Sequence, residues 1–286
     1  MLVEDSVMLK GHVYHKESGC PLAHIPVSDG LNTVKTDESG AFSLPGWERE
    51  HLVYVSLLTH SHDDWFYLID GHEGDFDFSI DPVTASATHS FFHLSDTEIG
   101  SEGCGSWLDG VKARIAEESP AFLVHTGDIC RKPGLLRHYL DMNEQTMGCP
   151  VRYTLGNHDY VNEKYGEYTY EAHYGPAWYS FDLGKTHYVV LPIPKGEAPS
   201  GYELEDSVRW LKNDLASAPP SHKVVVLCHD LCRGSEEEFV LTYGSESCDL
   251  KEHNLLAWVL GHLHSHYVNE CNGIYNICTA NPLAEE

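Results

Sequence analysis

The chain has 286 residues, 42% hydrophobic and 22% charged, which suits one large globular domain or two modest ones and excludes a disordered chain. Its longest unbroken apolar stretch, Leu255–Leu260, falls far short of the roughly 20 residues a membrane span needs, and the opening MLVEDSVMLKG has no apolar signal-peptide region. Eighteen Lys and Arg against 44 Asp and Glu leave a formal charge of −26, which excludes a nucleic-acid-coating protein and means that an anionic substrate needs bound cations to attract it.

In the first 80 residues, short β-rich runs (Val7–Tyr14, Ile25–Ser28, Thr33–Thr36, Ala41–Leu44, Leu52–Leu57) are separated by turns such as Ser28-Asp29-Gly30 and Asp37-Glu38-Ser39-Gly40. This spacing predicts a small all-β sandwich. The acidic, aromatic stretch Asp75–Phe78 leads into Asp81-Pro82, which places a domain boundary there and divides the chain into 1–82 and 83–286. Beyond it, apolar runs alternate with helical patterns. Strands are predicted at His89–Leu94, Phe122–His125, Val151–Thr154, His187–Leu191, Lys223–Cys228 and Ala257–Leu260. A helix follows Ser106, whose spacing to Asp109 is that of a capping box, with Trp107, Val111 and Ile115 in register. A second is predicted over Gly134–Met147, with Asn143 in its register and Gly148 stopping it, and a third over Asp206–Leu215. The alternation predicts an α/β layered domain.

The residues that follow the apolar runs carry the chemistry. FFHLSD ends on Asp96, AFLVHTGD on Asp128, VRYTLGNHD on Asn157, His158 and Asp159, KVVVLCH on His229, and LLAWVLGHLH on His262 and His264. The C-terminal edge of an α/β sheet is where ligands bind, and Gly127, Gly156 and Gly261 suit tight turns that aim the next residue into a site. Two Asp, one Asn and three His are too many donors for one ion and suit a pair of metals bridged by a carboxylate. If the chain stays extended past the strand, His262 and His264 point to opposite sides, one for each metal.

This ordered set, Asp96-Thr97-Glu98, Gly127-Asp128, Gly156-Asn157-His158-Asp159, His229 and Gly261-His262-Leu263-His264, resembles the calcineurin-like metallophosphoesterase signature over roughly residues 89–270. PVSDGLNTVKTDESGAFSLP resembles the transthyretin- or Ig-like β-sandwich of a bacterial subgroup of that family. The resemblance implies a four-layer αββα sandwich preceded by the small β domain, and an enzyme that hydrolyses phosphoesters with a metal-bridging hydroxide, diesters slightly preferred. A phosphomonoesterase, or a catalytically weak member that binds a phosphorylated ligand, is the alternative. It also implies a first metal held by Asp96, residue 98, Asp128 and His264, and a second by Asp128, Asn157, His229 and His262. His158 is then the catalytic acid, oriented by Asp159, and Asn157 helps hold the phosphoryl oxygens. Residue 98 departs from the pattern, being Glu where the family usually has His. Its carboxylate either ligates, favouring Mn or Fe over Zn, or is misaimed and leaves the first metal loose.

Other features carry less. Arg131 and Arg233, near the motifs, are candidate phosphate contacts or solvated surface groups. His93 and His125 fit either an orienting role behind the metal ligands or satisfied buried imidazoles; His187 fits the core. The Gly100–Gly105 stretch lacks the ending of a P-loop and fits a loop that shapes the pocket. The aromatic run Tyr165–Phe181 fits core packing or an aromatic wall for a nucleoside or sugar. Nine Cys without a C-x-x-C pair suit buried free thiols, and Cys228 has no activating partner. With no leader visible, the chain reads as cytoplasmic, or as periplasmic or secreted if its N-terminus is trimmed. A small phosphorylated substrate is the only partner implied; no membrane is, and the oligomeric state is not legible.

Overall fold

The computed structural model describes residues 8–47, 51–61, 64–130, 135–161, 164–230 and 239–282. In its first part, β1 (Met8–His15), β2 (Pro26–Ser28), β3 (Thr33–Lys35), β4 (Ala41–Pro45), β5 (Leu52–Val55), β6 (Phe66–Leu68) and β7 (Phe78–Ile80) make two sheets, ordered β4-β1-β7 and β3-β2-β5-β6. Alternation along β1 and β4 buries Leu9, Val13, Phe42 and Leu44 and leaves the other face wet, as a sheet with one covered side requires. The stretch predicted only to lead into a boundary contributes β7, which runs parallel to β1 and buries Phe78 and Ile80.

The second part runs β8 (Phe91–Leu94), α1 (Trp107–Glu118), β9 (Phe122–His125), α2 (Leu135–Asp141), α3 (Glu144–Met147), β10 (Val151–Tyr153), α4 (Tyr168–Tyr174), β11 (Tyr179–Leu183), β12 (Thr186–Val190), α5 (Leu204–Ser217), β13 (Lys223–Leu227), β14 (Val240–Tyr243), β15 (Glu246–Asp249), β16 (Leu255–Leu260), β17 (Tyr267–Cys271) and β18 (Ile274–Cys278). One sheet is the parallel set β10-β9-β8; the other is ordered β11-β12-β13-β16-β18-β17, with β12, β13, β16 and β18 parallel. Parallel central strands are covered on both faces, which is why β9 and β13 read as near-continuous apolar runs. Phe122 and Val124 of one sheet and Tyr188, Val225, Leu227 and Val259 of the other share a core. The alternate residues Leu123, Val151, Val226 and Trp258 belong to a second core with Leu108 and Ile115 of α1 and Trp210 and Leu211 of α5. The result is the expected αββα layering behind a β-rich first part.

Two local expectations are corrected. Ser106 makes no side-chain cap; its own backbone is already helical and α1 starts without it. The helix predicted over Gly134–Met147 is two, because the Asn143 side chain accepts from the amides of Gln145 and Thr146 and so starts α3 instead of continuing α2; Gly148 does end it, with φ 73°. The Tyr165–Phe181 run packs inward, with Tyr170, Tyr174, Tyr179 and Phe181 buried.

The two parts are closely joined. The Trp65 ring lies 4.8 Å from that of Tyr179. The fully buried guanidinium of Arg152 lies 4.8 Å over Trp65 and donates to Thr59 Oγ1 at 3.1 Å and Val151 O at 3.0 Å. Leu57 forms a parallel bridge to Asp182 of β11, and Trp178 Nε1 donates to Gly30 O at 2.9 Å.

Candidate metal centre

Asp96 follows β8, Asp128 follows β9, Asn157 opens a 3-10 turn after β10, His229 follows β13, and His262 and His264 follow β16. These strands run parallel within their sheets, so their C-terminal ends deliver the six residues to one edge. Backbone strain marks the same place. Among the described residues, ten non-glycine residues have positive φ, and Asp96, Glu98, Asp128, His262 and His264 are half of them. Left-handed conformations cost free energy at such residues and persist where surrounding structure and function enforce them. His262 and His264 separate for this reason, both being left-handed (φ 66° and 48°), and not through the pleat of an extended chain as expected. Gly261 and Gly156 also act differently from the tight-turn expectation: a Cβ on Gly261 would sit 1.7 Å from Ser95 Oγ, and one on Gly156 2.0 Å from Asp128 N, so each permits close approach of loops.

The donors form two groups. In one, His229 Nε2, His262 Nδ1 and Asn157 Oδ1 lie 3.1–3.3 Å from one another, and Asp128 Oδ2 is 3.1 Å from His229 Nε2. In the other, His264 Nε2 is 3.4 Å from Asp96 Oδ1 and 3.3 Å from Glu98 Oε1. Donor atoms of Asp128, His229 and His262 fall within 4.8 Å of each other, as do those of Glu98, Asp128 and His158, so Asp128 is common to both sides. Asp96 and Asp128 are almost fully buried. Burial pushes the Asp96 carboxyl up against the pull of His229; at Asp128 burial acts the same way, but the hydrogen bond and charge of His229 outweigh it and leave that carboxyl lowered.

These residues fit metal ions. His229 Nδ1 lies 2.8 Å from the carbonyl of Thr126, which accepts only, so Nδ1 holds a proton and the ring, once Nε2 gives up its own, turns that lone pair inward. Three lone pairs from Asn157, His229 and His262 then face one another, and a single proton bridges at most two. Donors at about 2.1 Å from a common ion are spaced roughly 3.0–3.4 Å apart, which matches.

The expected role of Asp159 is corrected. Its buried carboxyl group accepts from the amides of Ile129 at 2.9 Å, Cys130 at 3.2 Å and Gly156 at 2.8 Å, and so clamps the loop after Asp128 to the loop that presents Asn157. Burial, then the Asp128 charge, pushes it up to about 8 despite those donors. The partner of His158 is Glu197, whose Oε1 lies 2.6 Å from Nδ1. No motif pointed to Glu197, which sits in a Pro- and Gly-containing loop after β12. His158 Nε2 faces inward, 3.8 Å from Asp128 Oδ2, and its amide donates to Asp128 Oδ1 at 2.9 Å.

Arg131 and Arg233 lie outside the described residues. His125 is tied by Nε2 to Thr97 Oγ1 at 3.0 Å, and His93 to Thr126 Oγ1 at 2.8 Å, so both back loops that carry ligand candidates. His187 is buried, as expected, but between carboxylates: Asp182 at 2.9 Å and Asp214 at 2.8 Å. Cys228 Sγ takes the indole N–H of Trp258 at 2.8 Å, a packing role. Eight of the cysteines, Cys228 included, are free thiols, six of them buried. No helix among the described residues is long and apolar enough to cross a membrane.

The calcineurin-like phosphoesterase family profile matches residues 89–266. Among solved structures, a dimetal phosphatase from Danio rerio is similar at 13% identity and a TM-score of 0.48, covering 71% of this chain and 89% of that one. GAP50, the anchor in the inner membrane complex of Plasmodium, is similar at 17% identity and 0.48, with 68% and 72% covered. The phosphopantetheinyl hydrolase of Mycobacterium tuberculosis is similar at 13% and 0.43, with 69% and 92% covered. No curated protein sequence matches this one. The profile takes in more than half of the chain and every motif from Asp96 to His264, and the chain therefore belongs to the calcineurin-like phosphoesterase family, enzymes that hydrolyse phosphoesters with a pair of metal ions.

Proposed function

We propose that Asp96, Glu98, Asp128 and His264 hold one ion and Asp128, Asn157, His229 and His262 the other, with Asp128 shared. The observation that carries this is the convergence of these donors, five of them in left-handed backbone, on one sheet edge. The three carboxylates favour Mn or Fe over Zn. Ions bound there supply an activated water and offset the charge on the phosphoryl oxygens. Asn157 helps orient a phosphoryl oxygen, and the inward Nε2 of His158 delivers a proton to the departing oxygen.

A phosphodiester is the favoured substrate. With 44 acidic residues against 18 basic ones, a dianionic monoester meets more repulsion than a monoanionic diester. The site-bearing unit is taken as 83–286 and the β-rich unit as 1–82. The test is hydrolysis of a paired aryl phosphodiester and aryl phosphomonoester by chelator-stripped protein refilled with Mn. Mn-dependent cleavage of the diester supports the assignment, preferential cleavage of the monoester replaces the substrate class, and turnover undiminished by stripping removes the metal reading.

A further inference from the structure

Resting on the reading of His158 as the proton donor, we infer that Glu197 is its positioning residue and selects which ring nitrogen meets the substrate. The carboxylate lies 2.6 Å from Nδ1, so Nδ1–H donates outward and Nε2 is the nitrogen left facing Asp128. The loop that carries Glu197 is fastened to the turn that carries His158. The Glu197 amide donates to Asn157 O at 3.2 Å, and the Gly166 amide to Pro199 O at 2.8 Å. The Tyr160 hydroxyl hydrogen-bonds that of Tyr202, and Tyr202 Oη donates to Ile193 O at 3.2 Å. Gly196 lies so close over the Tyr160 ring that a Cβ there would be 2.3 Å from it.

An ion pair this exposed contributes little to stability, the Glu197 side chain being 58% accessible. Its effect is geometric: it restrains a partly exposed imidazole that otherwise rotates about χ1 and χ2 and presents either nitrogen. Asp159, which follows His158 directly, is occupied by three backbone amides and does not serve.

The experiment uses the full chain loaded with Mn and a series of aryl and alkyl phosphodiesters of increasing leaving-group pKa. Glu197→Ala is expected to lower kcat about 100-fold on the poorest leaving group and less than about threefold on a nitrophenol, which departs without a proton. KM and metal content should stay at wild-type values. His158→Ala should show the same dependence, and the double variant should be no slower than His158→Ala alone, because the two residues act as one unit. Equal loss across the series, losses that multiply with His158→Ala, or loss of metal in Glu197→Ala overturns the inference. A His158→Ala enzyme as fast as wild type on the poorest leaving group instead overturns the underlying reading of His158.

Discussion

Glu98 Oε1 lies 3.3 Å from His264 Nε2, at the position where most members of the family place a histidine. Its carboxylate shares a donor cluster with Asp128 and His158. Replacing it with Ala is expected to weaken one of two ions by more than the roughly 10–100-fold that loss of an outer hydrogen-bond partner costs. Glu98→His is expected to raise Zn-supported turnover relative to Mn, since an imidazole suits Zn. Metal content by elemental analysis, paired with activity in each metal, checks both; two tightly bound ions in Glu98→Ala would show that the carboxylate does not ligate.

Asp159→Ala removes the acceptor for three buried amides. Each orphaned donor costs ~1–3 kcal/mol, so a loss of at least about 3 kcal/mol is expected. For a chain of this size that lowers Tm by roughly 6–12 °C. Thermal melts with and without saturating Mn measure it. A variant that melts like wild type and is merely slow would return Asp159 to orienting His158.

Metal uptake should release a proton. Without an ion, burial opposes the His229 imidazolium, but the hydrogen bond to Asp128 and its charge push the ring up to about 9. Below that pH a proton occupies the nitrogen an ion needs, so Mn affinity should rise as pH increases from 6 to 9. Calorimetric titrations in buffers of different ionisation enthalpy report the proton directly, and an affinity flat across this range would contradict the assignment of His229.

His187 sets a different pH dependence, on stability. Burial opposes its charge, yet Asp214 and Asp182 raise it to about 10, above the ~6.5 of an unfolded chain. Its contribution is complete below about pH 6.5 and is lost as pH rises through 10. Burial acts against the Asp182 carboxylate, but His187 and His222 hold it below its usual value, so its contribution is present above about pH 4 and lost in acid. The denaturation midpoint should therefore fall between pH 7 and 10, and His187→Gln should flatten that slope while lowering the midpoint at pH 7. Wild type and variant with parallel profiles would rule the cluster out as the cause.

What could be read from the amino-acid string follows its physics. Parallel strands such as Phe122–His125 and Lys223–Leu227 are apolar on both faces and announce themselves, and their polar successors mark the site. The short pieces β14, β15, β17 and β18 alternate too weakly to stand out, and α4, seven residues long, is too short for its Tyr170 and Tyr174 to announce a helix. Asn143 was in register for a helix but caps one, because its side chain competes with the backbone for amides. Asp159 stood inside a motif yet binds amides from two loops, and Glu197 reaches His158 from 39 positions away without any motif of its own. Such partnerships depend on how loops fold over one another, which periodicity does not encode.

The burial of Arg152 bears on how the molecule comes apart. Its guanidinium is sheltered by Trp65 and Thr59, both from the β-rich first part, while its backbone belongs to β10. Peeling the first part away would strip the cation of its aromatic cover and a hydrogen bond, and expose the Tyr179 face as well. The amino-terminal strands are therefore expected to behave as an integral wall of the molecule and not as a detachable appendage. The two parts are expected to melt together, and a fragment beginning at residue 83 should aggregate more readily than the full chain.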